Sequence, residues 1–189
     1  MKLVLASTSP RRKELLNSLG IPFETAVPSF QERPTSLPAP EEALYFAEQK
    51  ARSVEKLYPD SWIIAADTLV DCGGVMGKPS RHEEAVEMLQ RLSGKTHQVF
   101  TAVVLLDSGT GEMKSHVERA EVTFRKLSMK EIRDYVATGE PFGKAGGYAV
   151  QGEGRRLIVK VTGDEEAVIG LPLKPLRQWL GVKNLKNLK

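Results

Sequence analysis

An acid inside an oily run is the first feature with chemical consequence. Trp62-Ile63-Ile64-Ala65-Ala66-Asp67-Thr68-Leu69-Val70 is almost continuously apolar, the pattern of a strand covered on both faces. A carboxylate there is costly unless it is paired or metal-bound, so Asp67 reads as a functional group. Cys72-Gly73-Gly74 marks a hairpin turn, and the returning strand ends at Gly77-Lys78-Pro79. Across that hairpin Asp67 and Lys78 can face one mouth. Opposite charges in that setting suit metal–phosphate chemistry, and they also suit a plain salt bridge.

The cations raise a second question. Leu3 to Ala6 reads as a short buried strand, Ser7-Thr8-Ser9 as a polar turn, and Pro10 as the first residue of a helix, where its missing N–H costs nothing. That helix start carries Arg11, Arg12 and Lys13, against the helix dipole. With Ser9 as the N-cap, Arg12 takes the place that would close a capping box. Such an end suits an external polyanion such as a phosphate chain; a solvated basic patch is the ordinary alternative. Further on, Leu44, Ala47, Ala51, Val54 and Leu57 share one helical face, and Lys50 falls inside that apolar arc. A lysine so placed snorkels outward, the commoner outcome, or points into a site. Glu32 stands in a proline-bearing loop between residues 21 and 40 and, taken alone, reads as a surface carboxylate.

The elements that position these groups follow from pattern. Ile21 to Val27 alternates weakly, in the manner of a strand. Pro40-Glu41-Glu42 opens the helix that carries Lys50, with acids in its first turn as the dipole favours. Ser80-Arg81-His82-Glu83 and Ser128-Met129-Lys130-Glu131 both read as capping boxes. Between them His97 to Leu106 and residues 112–124 read as two long strands paired through the turn Asp107-Ser108-Gly109-Thr110-Gly111. His82, His97 and His116 lack ligand spacing and read as structural or surface residues. Lys144 to Gly154 is glycine-dense, which calls for close approach of the backbone to something: a phosphate, a base, or a tight packing crossover. No Gly-Lys-Ser/Thr ending makes it a Walker loop. Leu157 to Val161 reads as a strand, Gly163-Asp164 as a turn, and Leu173, Leu176 and Leu180 as the inward face of a last helix.

Length and composition bound the class. The chain has 189 residues, of which 41% are apolar and 27% charged, ordinary values for a globular protein. A single domain over residues 1–181 with a basic tail at 182–189 is expected. A net charge of +3 does not demand nucleic acid and suits a small anionic ligand. One cysteine, Cys72, excludes an internal disulfide and fits a reducing compartment. No apolar run approaches the roughly 18 residues of a membrane span, and no secretory signal pattern stands at the start; a cytoplasmic protein with no membrane partner is expected. Short turns between several strands argue for a mixed sheet with helices around it rather than a pure Rossmann fold. Cations with a few carboxylates, and no Ser–His or Cys nucleophile pair, read as phosphate transfer or hydrolysis aided by a divalent metal.

Taken together the motifs resemble the Maf family of nucleoside triphosphate pyrophosphatases. The resemblance lies in Ala6-Ser7-Thr8-Ser9-Pro10-Arg11-Arg12 with Leu15-Leu16, then Ala66-Asp67-Thr68, Gly77-Lys78-Pro79, Leu92-Ser93-Gly94-Lys95-Thr96-His97, Lys144-Ala145-Gly146-Gly147-Tyr148, Gln151-Gly152 and Gly170-Leu171-Pro172, in that order over almost the whole chain. It implies an α/β fold like that of inosine triphosphate pyrophosphatases, with a mixed twisted sheet and two lobes around a cleft. It also implies a homodimer, and cleavage of a nucleoside triphosphate substrate between its α and β phosphates with Mg²⁺ or Mn²⁺ as cofactor. Residue by residue it implies Asp67 as general base, Glu32 as a carboxylate assisting with metal, and both as metal ligands. Lys50 and Lys78 join the catalytic set, and Ser7, Arg11 and Arg12 surround the triphosphate. Thr68 after the aspartate and Gln151 resemble the branch acting on dTTP and UTP, since an amide both donates to and accepts from a uracil or thymine edge. The sister branch acting on 7-methylated GTP, and a non-enzymatic nucleotide-binding regulator of septum formation, are the alternatives. Acids in Gly163-Asp164-Glu165-Glu166 depart from the family pattern, which commonly has an aromatic there.

Overall fold

The computed structural model describes residues 1–182; the expected tail from residue 183 onward lies outside them. The chain divides into two compact units, each assembled from separate stretches. The first takes Met1–Asp67, Thr101–Glu118 and the chain from Gly170; the second takes Thr68–Phe100 and Arg119–Ile169.

In the first unit β1 (Lys2–Ala6) runs into α1 (Pro10–Asn17), then β2 (Glu24–Ala26), α2 (Ala39–Glu55) and the start of β3 (Ser61–Asp71). β1 pairs parallel with β2 on one side and with β3 on the other, Val4 opposite both Glu24 and Ile63. Parallel neighbours need crossover connections, and α1 and α2 are those crossovers. Ile63, Ile64, Ala65 and Ala66 are fully buried, so the unbroken apolar run of β3 has the two-sided cover its pattern demands. Leu3, Leu5, Leu16, Leu19, Ile64, Val103, Leu173 and Leu176 form one core. The last two come from α6 (Leu173–Trp179).

In the second unit β3 turns back through Gly73, which has φ of 67°, into β4 (Val75–Met76), antiparallel as the glycine pair indicates. Then come α3 (His82–Leu92), the start of β5 (Thr96–Asp107), the end of β6 (Met113–Phe124), α4 (Met129–Ala137), β7 (Ile158–Thr162) and α5 (Glu165–Ile169), while the rest of β5 and β6 belongs to the first unit. Leu89, Leu92, Phe124, Ile132, Tyr135 and Leu157 fill that core. The strand order β2-β1-β3-β5-β6-β7, with β4 on β3, is a seven-stranded mixed sheet, the expected α/β class.

Several local expectations meet the structure differently. The box at Ser128 is present in full, but the one at Ser80 is not. Arg81 is the N-cap of α3 without a side-chain cap bond, because the Ser80 amide and hydroxyl donate instead to Glu84 Oε2 at 2.8 and 2.9 Å. Leu57, read as part of the inward face of α2, lies past the helix end and is exposed. The acids after Gly163 build α5: the Asp164 carboxylate accepts from the Glu166 amide at 2.8 Å, and Glu165 and Glu166 occupy the first turn, where negative charge is favoured.

In the glycine-dense stretch two glycines are required by close protein packing. Gly146 has φ of 69°, and a Cβ there would stand 3.1 Å from both Val70 methyl carbons; its amide donates to Gly77 O at 3.0 Å. A Cβ on Gly154 would collide with the backbone of Ala149. These glycines bring protein backbone against protein, closing the stretch onto the β3–β4 hairpin.

Candidate functional site

The first unit gathers charge around Asp67. Lys50 sits on the inner side of α2 and is buried rather than snorkelling. Its ammonium donates to Asp67 Oδ1 and forms a second ion pair with Glu32 Oε1 at 2.5 Å. Side-chain exposure is 9% for Lys50 and 1% for Asp67, so this is a desolvated pair, where charge interactions are far stronger than at a surface. Glu32, read alone as a surface carboxylate, retains 29% side-chain exposure and leans inward onto Lys50. The residue stays exposed, as that reading has it, and the ion pair is what it adds: the three N–H donors of the ammonium accommodate a second carboxylate beside Asp67.

Arg12 completes the group. Its Nε donates to Gly170 O at 2.8 Å, which fixes the guanidinium on the Gly170-Leu171-Pro172 turn. Burial lowers the Arg12 pKa, while the charges of Asp67 and Glu32 raise it. Burial pushes the Asp67 carboxyl above the usual carboxylate range. The Lys50 charge opposes that rise, Glu32 adds to it, and Arg12 opposes it. Asp67 Oδ2 is buried and has no hydrogen-bond partner among the described residues.

The loop bearing Glu32 is not left to itself. The Ser29 amide donates to Ser53 Oγ at 3.2 Å, and the Phe30 ring packs on Tyr45 and Phe46. The Thr35 amide and hydroxyl donate to Glu42 Oε1 at 2.6 and 2.8 Å. Glu42, Tyr45, Phe46, Lys50 and Ser53 all stand on α2. One helix therefore anchors both Lys50 and the loop that carries Glu32. The sequence reading missed Glu42; its signal was an acid in the first turn, which the helix dipole already explained.

At the β1–α1 turn, Ser9 caps the helix by accepting from the Arg12 amide, and Ser7 Oγ accepts from the Ser9 amide at 3.2 Å. Ser7, Thr8, Ser9 and Lys13 face Thr25 and Val27 across an open pocket of about 370 Å³. Arg11 stands in the first turn of α1, half-buried. Thr68 follows Asp67 in β3 and is half-buried; Lys78 and Gln151 are exposed residues of the second unit. The structure thus brings together Arg12, Glu32, Lys50 and Asp67 within one unit, with Ser7 on the turn that leads into Arg12's helix.

Two carboxylates offer hard oxygen donors of the kind Mg²⁺ and Mn²⁺ take, and the unpartnered Asp67 Oδ2 has capacity for a cation or a water proton. Among the described residues no group of three or more His, Cys, Asp and Glu side chains forms a metal site. A metal bound to Glu32 and Asp67 would draw its other ligands from water and phosphate, the usual arrangement for Mg²⁺. The donor set fits such a group. His97, by contrast, is sealed in the second unit with Nε2 2.7 Å from Tyr148 Oη and its ring edge-on to Phe124 and Tyr148, the structural role its spacing suggested.

Sheet and site define an α/β protein in which a buried carboxylate is clamped by cations drawn from separate segments. Residues 2–182 match the family described as Maf-like protein, and the chain belongs to it. Among its curated relatives, the dTTP/UTP pyrophosphatase of Symbiobacterium thermophilum is 46% identical over 95% of this chain and 92% of its own length. The dTTP/UTP pyrophosphatase of Bacillus cereus is 43% identical over 93% and 92%. That of Bacillus velezensis is 44% identical over 98% of both chains. A solved structure of the Staphylococcus aureus Ham1 protein superposes with a TM-score of 0.47 at 15% identity, covering 84% of this chain and 80% of that one. No helix among the described residues is long and apolar enough to cross a membrane.

Proposed function

We propose that this chain is a nucleoside triphosphate pyrophosphatase acting on dTTP and UTP, hydrolysing the α–β phosphoanhydride to the monophosphate and pyrophosphate. The observation that carries the reading is the buried Lys50–Asp67 pair with Glu32 and Arg12 gathered on it. The names of the relatives support the choice of nucleotide. Pure binding of a polyanion would gain by losing both carboxylates, so their presence argues for turnover over a non-enzymatic regulator.

The roles follow from charge and position. Asp67 Oδ2 takes a proton from the attacking water, since burial gives this carboxyl a raised proton affinity and its second oxygen is held by Lys50. Breaking the anhydride leaves negative charge on pyrophosphate. Arg11, Arg12, Ser7 and Lys78 are assigned to the phosphates, and Lys50 holds Asp67 and Glu32 in place. Thr68 and Gln151 are assigned to the pyrimidine base. Glu32 and Asp67 would hold Mg²⁺ or Mn²⁺, which when bound offsets phosphate charge. The protein is proposed to work as a homodimer in the cytoplasm.

Pyrophosphate release from a panel of nucleotides, with Mg²⁺ and with Mn²⁺, tests the reading. dTTP and UTP are expected to exceed 7-methyl-GTP in kcat/KM, and the reverse order would move the chain to the sister branch. Asp67→Asn is expected to lower kcat by about 10²–10⁴-fold with the fold kept; wild-type turnover by this variant would refute the base assignment.

A further inference from the structure

Glu140 lies just past α4, in a Gly-Glu-Pro break, and its carboxylate is fully committed. Oε2 accepts the Tyr135 hydroxyl at 2.7 Å and the Gly154 amide at 2.7 Å. Oε1 accepts the Glu153 amide at 3.1 Å. The Tyr135 oxygen in turn accepts the Ala149 amide at 3.2 Å, and the Glu140 carbonyl accepts the Lys144 ammonium. The two side chains therefore grip the backbone on both sides of Gln151, two residues before it and two after. Gly152, with φ of 72°, leaves no room for a Cβ because Glu140 Oε1 already fills that space. Gln151 itself is exposed, and its side chain makes no cap bond to the short helical turn that follows it.

We propose that Glu140 is the positioning residue for Gln151, fixing where that amide stands when it meets the pyrimidine base. The inference rests on the base-reading role given to Gln151 above. Two backbone amides converge on the carboxylate, and a neutral amide side chain in its place would set an N–H against one of them. The unmatched donor loosens the strap. Loosening it spreads the Gln151 amide over several orientations, so the site loses its preference for a uracil edge over a cytosine edge. It leaves the proton chemistry at Asp67 alone. A carboxylate that only stabilised the second unit would lower turnover of every nucleotide by one factor.

The test is the ratio of kcat/KM for UTP to that for CTP, measured in wild type, Glu140→Gln, Tyr135→Phe and Gln151→Ala. Glu140→Gln is expected to lower the ratio about tenfold, through KM for UTP, with the pH profile of kcat unmoved. Equal losses on UTP and CTP would overturn the positioning role. Where Glu140→Gln fails to fold, Tyr135→Phe, which keeps the ring in the core, is read the same way: a lowered ratio supports the role and an unchanged one overturns it. Gln151→Ala separates the two layers. An unchanged ratio there overturns the base-reading role and the inference with it; a collapsed ratio there beside unchanged Glu140→Gln and Tyr135→Phe ratios overturns the inference alone.

Discussion

Replacing Lys50 by Met removes one charge from a desolvated group and leaves the other members in place. Asp67 then keeps its burial and the repulsion of Glu32, both of which raise its pKa, and loses its largest opposing influence, the Lys50 charge. Breaking a buried pair by deleting one partner costs about 3–5 kcal/mol when the orphaned group stays charged. Asp67 escapes part of that cost by taking a proton, so the cost depends on pH. The folded carboxyl lies above its ordinary value of 3.8, so above that value the folded chain holds a proton that the unfolded chain releases. Raising pH through the window between the two values therefore destabilises the folded state. The window is wider in the variant. Urea unfolding at a series of pH values from about 4 upward should show a stability gap between wild type and Lys50→Met that is smallest at the acid end and grows with pH toward about 3 kcal/mol. Adding Asp67→Leu should restore much of the loss, because removing both charges relieves the desolvation that one alone cannot bear. A gap that is constant with pH, or a double variant no more stable than the single one, would refute the buried-pair argument.

Three further outcomes are expected. His97 is held to a pKa of about 4 by burial, so the unfolded chain binds the extra proton first as pH falls. Stability should be lost from pH 6.5 down to about 4, by roughly 3 kcal/mol, and His97→Gln should flatten that limb in thermal melts. Tyr148→Phe removes the hydroxyl partner of His97 and should cost about 1–3 kcal/mol by urea unfolding at neutral pH. Gly146→Ala meets Val70 at a positive φ and should cost about 1–3 kcal/mol, visible as a lowered melting temperature in a chain that still folds.

Asp67 was legible in the sequence because an acid within an unbroken apolar run has few harmless explanations. Lys50 was legible only as an anomaly. Amphipathic spacing places it on the inner face, but whether it snorkels depends on what lies opposite, and Glu32 and Asp67 reach it from 18 residues before and 17 after. Glu32 had no residue-level signal of its own; a loop carboxylate looks the same in sequence whether or not a buried ammonium awaits it, and only the resemblance to the Maf family singled it out. The clamps at Glu42 and Glu140 were invisible for a related reason. Their partners are mostly backbone amides, and a backbone amide leaves no mark in the residue string. The short helix α5 was read as a turn because Asp164 to Glu166 carry no apolar period. The packing role of the glycine stretch depended on Val70, Ala149 and Glu140, which stand against it from elsewhere in the chain or across a turn and leave no mark on the glycines themselves.

The arrangement on α2 constrains how this protein can change length. Glu42 and Lys50 are separated by about 12 Å of helix axis at 1.5 Å per residue. One grips the loop at Thr35 and the other holds that loop's carboxylate. A residue inserted between them would turn Lys50 by about 100°, carrying the ammonium off the inner face altogether. A residue inserted at the exposed loop positions past Glu32 would only bulge into solvent. Insertions and deletions should therefore accumulate in that loop among variants that keep their activity, while the spacing from Glu42 to Lys50 stays fixed.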